Sequence, residues 1–462
     1  MKITVKELGI LKQAEFEVGD LTIICGANNT GKTYATYALY GFLTFWNEVF
    51  NYKFIEEENI DRLLKQGSIK IDLDSYKEAK HAIVKYACED YSKNIPIVFG
   101  ASKKSFTGSY FDVSLDDIDF DDIDLRVQTK GPDGRSLCEI NKTRGESELS
   151  IRIIASSEEI NAVKRDYLLF QINHDIKNIL FGKIFPAPFI ASIERTGAAM
   201  FQKELDIYRN KLLEQVSNRD KELDIIDLLN PYNDVKYALP VRRDVDFIRD
   251  LERIPKSDGT YADKYPEILS HFDLLAGGEY RATSEGVYYV PSKSKAKLTM
   301  GESASSVRSL LNIGMYIRYM ANPGDFLMID EPELNLHPKN QRLMARLLAK
   351  LVNAGVRIFV TTHSDYIIKE FNTLMMMNNN NANTCGIMKR YGYVENELLD
   401  VNKVRAYIAK KDLIRIEGQT KKQRYNTFIQ APLDKRGMEI AEFDETINIM
   451  NEIQEHILYS GE

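Results

Sequence analysis

Residues 26–33 read Gly26-Ala27-Asn28-Asn29-Thr30-Gly31-Lys32-Thr33, the spacing GxxxxGK[ST], and the apolar run Leu21 to Cys25 leads straight into them. A bound polyphosphate needs several backbone N–H groups converging on its oxygens. Only a loop low in side-chain bulk lets the backbone come that close, and the N-terminus of a following helix adds favourable partial charge. In this pattern Lys32 would hold the outer phosphates and Thr33 a Mg²⁺, with Gly26, Asn28, Asn29, Thr30 and Gly31 forming the cradle. Asn28 and Asn29 stand where glycine is common because asparagine tolerates positive φ. After the loop, Ala35, Ala38, Leu39, Phe42, Phe45, Trp46 and Val49 recur at three and four, which predicts a helix with one buried face. Before it, alternation from Ile3 and Val5 through Phe16 and Val18 predicts strands, so the chain opens as strand, loop, helix.

Two later stretches supply partners for such a loop. Phe326-Leu327-Met328-Ile329-Asp330-Glu331-Pro332 reads as a buried strand on a strand neighbouring the loop, with two carboxylates at its end. Mg²⁺ takes oxygen ligands, so Asp330 is the candidate metal residue beside Thr33, and Glu331 is placed to orient or deprotonate an attacking water. Val356 to Thr361 predicts another strand, and Thr362-His363-Ser364 puts a histidine at its end, where open α/β sheets gather ligand groups. His363 is therefore a candidate contact for the terminal phosphate. His337 lies in Leu336-His337-Pro338, while His81, His174, His271 and His456 form no ligand spacing, so no metal other than Mg²⁺ is indicated.

The rest of the chain reads as strands alternating with helices around these motifs. Helical spacing runs through Val307, Leu310, Leu311, Gly314 and Ile317, and again over Gln341 to Val352, with Gly355 as a stop. This predicts an α/β protein with a mixed, largely parallel sheet flanked by helices, plus inserted α+β lobes. Residues 1–45 and 184–400 form the expected core. An inserted lobe spans 46–183 and contains the acidic stretch Asp116 to Asp124 and three strand-like segments. A helical insertion and hairpin, with the hairpin near Glu279 to Leu298, span 197–290. A strand-helix extension, ending in a helix over Glu445 to Leu458, spans 401–462.

With 462 residues, 44% hydrophobic and 28% charged, the chain is too long for a small binding module and too apolar for a disordered one. Its net charge of -7 gives no global attraction to nucleic acid or acidic membranes, so any DNA contact is local. Cys25, Cys88, Cys138 and Cys385 have no CxxC spacing, the N-terminus has no signal layout, and no apolar run is long enough to span a bilayer, all of which lead to the expectation of a cytoplasmic protein.

Taken together, these residues resemble the ABC-type ATPase heads of the SMC, RecF and OLD (overcoming lysogenization defect) proteins. The most specific part is Asp330-Glu331-Pro332-Glu333-Leu334-Asn335-Leu336-His337-Pro338. The resemblance implies ATP and Mg²⁺ as ligands, hydrolysis of ATP to ADP and phosphate, and a homodimer or higher homo-oligomer built through shared nucleotide sites. In that family a signature segment before the carboxylate strand touches the nucleotide of a second subunit. Its counterpart here is Ala304-Ser305-Ser306-Val307-Arg308, which makes Ser305 and Ser306 candidates. Glu194-Arg195 resembles the ER pair of OLD-like ATPases, which makes Arg195 a candidate phosphate contact. Many OLD-like chains continue into a Toprim nuclease domain, and the tail from Val401 shows no carboxylate cluster of that kind. The layout is similar to the stand-alone ATPase of the PARIS anti-phage defence system, where a separate protein, a nuclease or toxin, is the effector. The alternative implied by the RecF side of the resemblance is a DNA-binding repair ATPase.

Overall fold

The computed structural model describes residues 1–115, 119–201, 237–251, 259, 263–283, 286–378, 384–416 and 421–459. Part of the expected acidic stretch (116–118) and, within the expected helical insertion and hairpin, residues 202–236, 252–258, 260–262 and 284–285 lie outside the described residues. The chain divides into two compact units, one made of residues 1–4, 41–94 and 110–188, the other of 5–40, 95–109 and 189–462.

In the larger unit the strands lie side by side in the order Lys2–Leu8, Leu11–Glu17, Gln423–Gln430, Val404–Ile414, Leu21–Cys25, Arg357–Thr362, Phe326–Asp330 and Pro188–Ala191. Leu21–Cys25 pairs in parallel with Arg357–Thr362 on one side and Val404–Ile414 on the other, and Phe326–Asp330 is parallel to Arg357–Thr362. Val404–Ile414 and Gln423–Gln430 form the antiparallel element. The fold is α/β with a mixed, largely parallel sheet flanked by helices. Leu21 to Cys25, Phe326 to Asp330 and Ile358 to Thr362 are all buried, which explains why these strands read as continuous apolar runs rather than alternating ones.

Three details differ from the sequence expectation. The carboxylate strand is not next to the phosphate-loop strand; the histidine strand lies between them and pairs with both. Residues 404–430, expected as an extension, are instead internal strands of this sheet, since Val404 to Ala409 is buried at every position but Arg405 and pairs directly with Leu21–Cys25. Segment 95–109, expected within the inserted lobe, belongs to the larger unit, where Phe99 and Phe106 stack at 4.7 Å and both pack on the Tyr34 ring.

The helix Pro338–Asn353 starts with His337 as N-cap, its Nδ1 accepting from Lys339 N, and with proline at the first turn. It buries Met344, Leu347, Leu348 and Leu351, each worth about 1.5–3 kcal/mol relative to exposure. Gly355 follows its end at φ +91°, the left-handed stop expected there. The hairpin pairs Gly278–Thr283 with Gly286–Pro291, and the last helix spans Ala441–Tyr459.

The smaller unit carries a four-stranded antiparallel sheet in the order Ser68–Asp72, Glu148–Ile153, Ser136–Lys142, Leu125–Lys130. An aromatic core surrounds Trp46, which packs on Phe185 at 4.5 Å and Phe181 at 5.3 Å. Within the acidic stretch, Asp121 pairs with Lys77 and Asp122 with Arg144.

Candidate functional site

Register brings the three motif strands to a common edge. Thr362 pairs with Cys25 and Thr361 with Asp330, so Gly26, Glu331 and His363 each follow the last residue of a strand at the same level. A cleft of about 430 Å³ opens there, lined by Ile10, Tyr34, Ile193, Glu331, His363 and the loop residues Asn28 to Thr33.

The loop's two glycines are required by contact as well as by φ. A Cβ on Gly26 (φ +131°) would sit 2.4 Å from the carbonyl oxygen of Ala409, and one on Gly31 (φ +103°) would meet the Leu11 side chain at 2.5 Å. Of the two asparagines, Asn29 takes positive φ, at +60°; Asn28 does not, which corrects the expectation for that residue. Lys32 Nζ donates to the carbonyls of Gly26 (2.9 Å) and Ala27 (2.8 Å), folding back over the loop. Burial pulls its pKa below the usual lysine range against the opposing pull of Glu331 and Asp330.

Asp330 is 1% exposed, and Thr361 Oγ1 donates to its Oδ1. Burial pushes its carboxyl up to about 6, opposed by the Thr361 hydroxyl and by that of Thr33 close by. Its Oδ2 has no hydrogen-bond partner among the described residues. A buried carboxylate oxygen left open beside a threonine hydroxyl fits a hard cation that takes one or two protein oxygens and completes its shell from phosphate and water. Thr33 and Asp330 are the residues that would hold Mg²⁺.

Glu331 occupies φ +52°, a left-handed conformation that a non-glycine residue adopts at a cost of order 1–3 kcal/mol. Its backbone N–H donates to Thr361 O at 3.1 Å, which fixes the turn. His363 Nδ1 lies 3.3 Å from Glu331 Oε1 and 3.4 Å from Glu333 Oε1. The hydrogen bond to His363 lowers the Glu331 pKa, and the same bond raises that of His363. Glu331 is thus held ionised at the mouth of the cleft.

Glu333 was not singled out by the sequence reading. It is 6% exposed and its Oε1 accepts from Thr362 Oγ1 (2.8 Å) and His363 N (2.7 Å), tying the carboxylate turn to the histidine turn. The signal was present in the quoted DEPEL run, but nothing local distinguishes a buried brace from a solvated acid.

Arg195 is corrected by the structure. It is 1% exposed, and its guanidinium donates to four backbone carbonyls: Ser309 (2.8 Å), Ser192 (2.7 Å), Asp330 (2.7 Å) and Glu331 (2.7 Å). With its donors committed below the cleft, it is a brace rather than a phosphate contact. Asp244, fully buried and pushed up to about 7, lies close enough to oppose the downward pull of burial on Arg195, and accepts from Ser192 N and Asn312 Nδ2. Ser305 and Ser306 open the helix Ser305–Tyr319, whose N-cap Ala304 offers no side-chain cap; Ser305 is exposed, and neither serine lines the cleft of its own chain.

A phosphate loop between parallel strands, with the two carboxylates and a histidine at one sheet edge, defines a phosphate-loop ATPase. The chain belongs to the AAA ATPase domain family, whose sequence pattern matches residues 1–368. No curated protein matches it. Among solved structures it is similar to an SMC head bound to the C-winged helix domain of ScpA, at 13% identity and a TM-score of 0.32 over 94% of this chain and 98% of that one. It is also similar to an SMC head domain from Thermotoga maritima, at 12% identity and 0.31 over 93% and 98%. A third is an Smc head with an extended coiled coil bound to the C-terminal domain of ScpA, from Pyrococcus furiosus, at 12% and 0.31 over 98% of each chain. Among the described residues no helix is long and apolar enough to cross a membrane.

Proposed function

We propose that the chain binds and hydrolyses ATP with Mg²⁺ as an ABC-type head, and works as a sensor or scaffold in prokaryotic anti-phage defence that restrains and releases a separate effector. The observation that carries the enzymatic part is the common edge that brings Lys32, Thr33, Glu331 and His363 into one cleft, with Asp330 buried at the end of the strand that delivers Glu331. Lys32 would exchange the Gly26 and Ala27 carbonyls for phosphate oxygens. Bound between Thr33 and Asp330, Mg²⁺ would neutralise charge on the phosphates. Glu331, ionised and aimed by its turn, would accept the proton of a water attacking the terminal phosphate, while His363 fixes its carboxylate and faces the same space.

Lys32→Ala should lose ATP binding in calorimetry with Mg²⁺. Glu331→Gln should keep it while turnover falls by on the order of 10². Equal ATP affinity in wild type and Lys32→Ala would overturn the site. The defence reading rests on the resemblance in the DEPELxLHP run and on the motif set, which equips the chain for nucleotide chemistry but for no second catalytic task. An effector moved from nearly full to nearly zero occupancy requires about a 10⁴ difference in affinity between two nucleotide states. Co-expression with neighbouring genes and purification through this chain should therefore recover a partner held by Glu331→Gln and released by wild type during turnover. A chain that purifies alone in every nucleotide state would leave the ATPase standing and remove the effector.

A further inference from the structure

His363 lines the nucleotide cleft with its side chain 43% exposed, so packing alone does not hold the ring. Its neighbours on both sides are anchored instead. Thr362 Oγ1 donates to Glu333 Oε1 (2.8 Å) and accepts from Ser364 N (3.0 Å), and Ser364 Oγ donates to Gln341 Oε1 (2.5 Å). Gln341 Nε2 donates to Leu336 O (2.9 Å), which returns the chain of contacts to the carboxylate turn. That turn is itself fixed. Glu331 and Asn335 take φ +52° and +59°, Leu334 N donates to Glu331 O (3.1 Å) and Leu336 N to Glu333 O (2.9 Å). Between them Glu333, 6% exposed, accepts from His363 N at 2.7 Å and brings the same oxygen to 3.4 Å from the ring's Nδ1. Glu333 Oε2 has no hydrogen-bond partner among the described residues, so the polar contacts of this carboxylate are concentrated on Oε1.

We infer that Glu333 is a positioning residue for the hydrolysis proposed above, acting through His363. Its Oε1 holds the backbone and the ring of that residue at once, which keeps Nδ1 on the carboxylates of Glu331 (3.3 Å) and Glu333 and leaves Nε2 for the terminal phosphate of a nucleotide in the cleft. Glu331 cannot do this alone. It is the group that takes up a proton during turnover, and a carboxyl that has done so loses the charge that attracts the imidazole. Glu333 is buried and is not part of the cleft lining, so its grip on the histidine turn survives that change. Oε1 accepts whether or not the other oxygen carries a proton, so an amide oxygen can stand in for it. The inference rests on the ATPase reading and adds to it a residue whose effect on the reaction passes through His363.

The test is a double-mutant cycle on the full chain, read by steady-state ATPase kinetics and by calorimetry with ADP and with a non-hydrolysable ATP analogue in Mg²⁺. Glu333→Ala should lower kcat about tenfold or more, as His363→Ala does, and the double variant should be slower than His363→Ala by no more than about twofold, because a residue that acts through another then has nothing left to act on. Preference for the ATP analogue over ADP should fall by the same factor in all three, with ADP affinity within about twofold of wild type. Glu333→Gln, which keeps an oxygen for Thr362 and His363 N, should restore most of the kcat that alanine loses. Glu333→Met, apolar and of similar length, repeats the cycle should the alanine variant fold poorly. Losses that multiply in the double variant, or a glutamine variant as slow as the alanine one, would overturn the inference while the ATPase stands. A wild type that binds neither nucleotide and releases no phosphate would overturn the ATPase reading, and the inference with it.

Discussion

Arg195 and Lys32 are both cations close to the same phosphate loop, and contacts alone separate their roles. Lys32 spans two carbonyls at the cleft wall, positions that a stronger anion can replace; Arg195 is locked by four carbonyls on three segments of chain. Losing the guanidinium leaves those carbonyls unpaired and Asp244 without its cation. Arg195→Ala should therefore cost about 3–5 kcal/mol, and Arg195→Lys somewhat less because one ammonium cannot reproduce the fork. Urea denaturation checks the cost, and calorimetry on the folded Arg195→Lys protein should give an ATP affinity within about threefold of wild type. Unchanged stability with a large loss of ATP affinity would return Arg195 to the phosphate. The loop, Asp330, Glu331 and His363 were legible because phosphate and metal chemistry restrict residue type and spacing. Glu333 and Arg195 were not, since their roles depend on Thr362, His363 and Ser309, which lie far away in sequence.

Elements were legible where one physical signal dominated. The helix expected over 341–352 spans Pro338–Asn353, and its apolar spacing faces the core as read. Strand order was not legible, because each buried strand satisfies the same apolar pattern and nothing local says which neighbour it takes. The helix Arg165–Phe181 gives a test at this scale. It carries Lys177, fully buried, with Nζ donating to Trp46 O (2.5 Å) and Phe50 O (2.6 Å), and burial lowers its pKa to about 8. Between about pH 8 and 10.5 the unfolded chain binds more protons at this residue than the folded one, so its contribution to stability rises with pH and is least favourable below 8. The unfolding free energy of wild type minus that of Lys177→Met should increase by about 2 kcal/mol from pH 8 to pH 10. Urea titrations at the two pH values check it; a flat difference would mean that the ammonium is not buried as described.

At the scale of the whole molecule the open question is whether a site is completed by a second copy. The cleft of one chain contains Lys32 and Glu331 but neither Ser305 nor Ser306, which begin a helix with an uncapped N-terminus and an exposed first residue. Such an end attracts anions. If it completes a neighbour's site, Lys32→Ala chains mixed with Ser305→Arg/Ser306→Arg chains should recover ATPase activity that neither has alone, since each mixed pair keeps one intact site. Verified subunit exchange without recovered activity would mean that each chain works alone or that both sites must fire together. The sequence by itself determined the α/β class and the positions of the glycine-rich loop, Asp330, Glu331 and His363 at the ends of buried strands, because each follows from short-range patterns: an apolar run ending in a loop low in side-chain bulk or in polar residues, and the period of buried helices and strands. Only the tertiary structure decided that the histidine strand lies between the other two, that residues 404–430 belong inside the sheet, and that Arg195 braces the site from below. Those outcomes depend on which distant backbone groups meet, and pairing of that kind leaves no trace in local spacing.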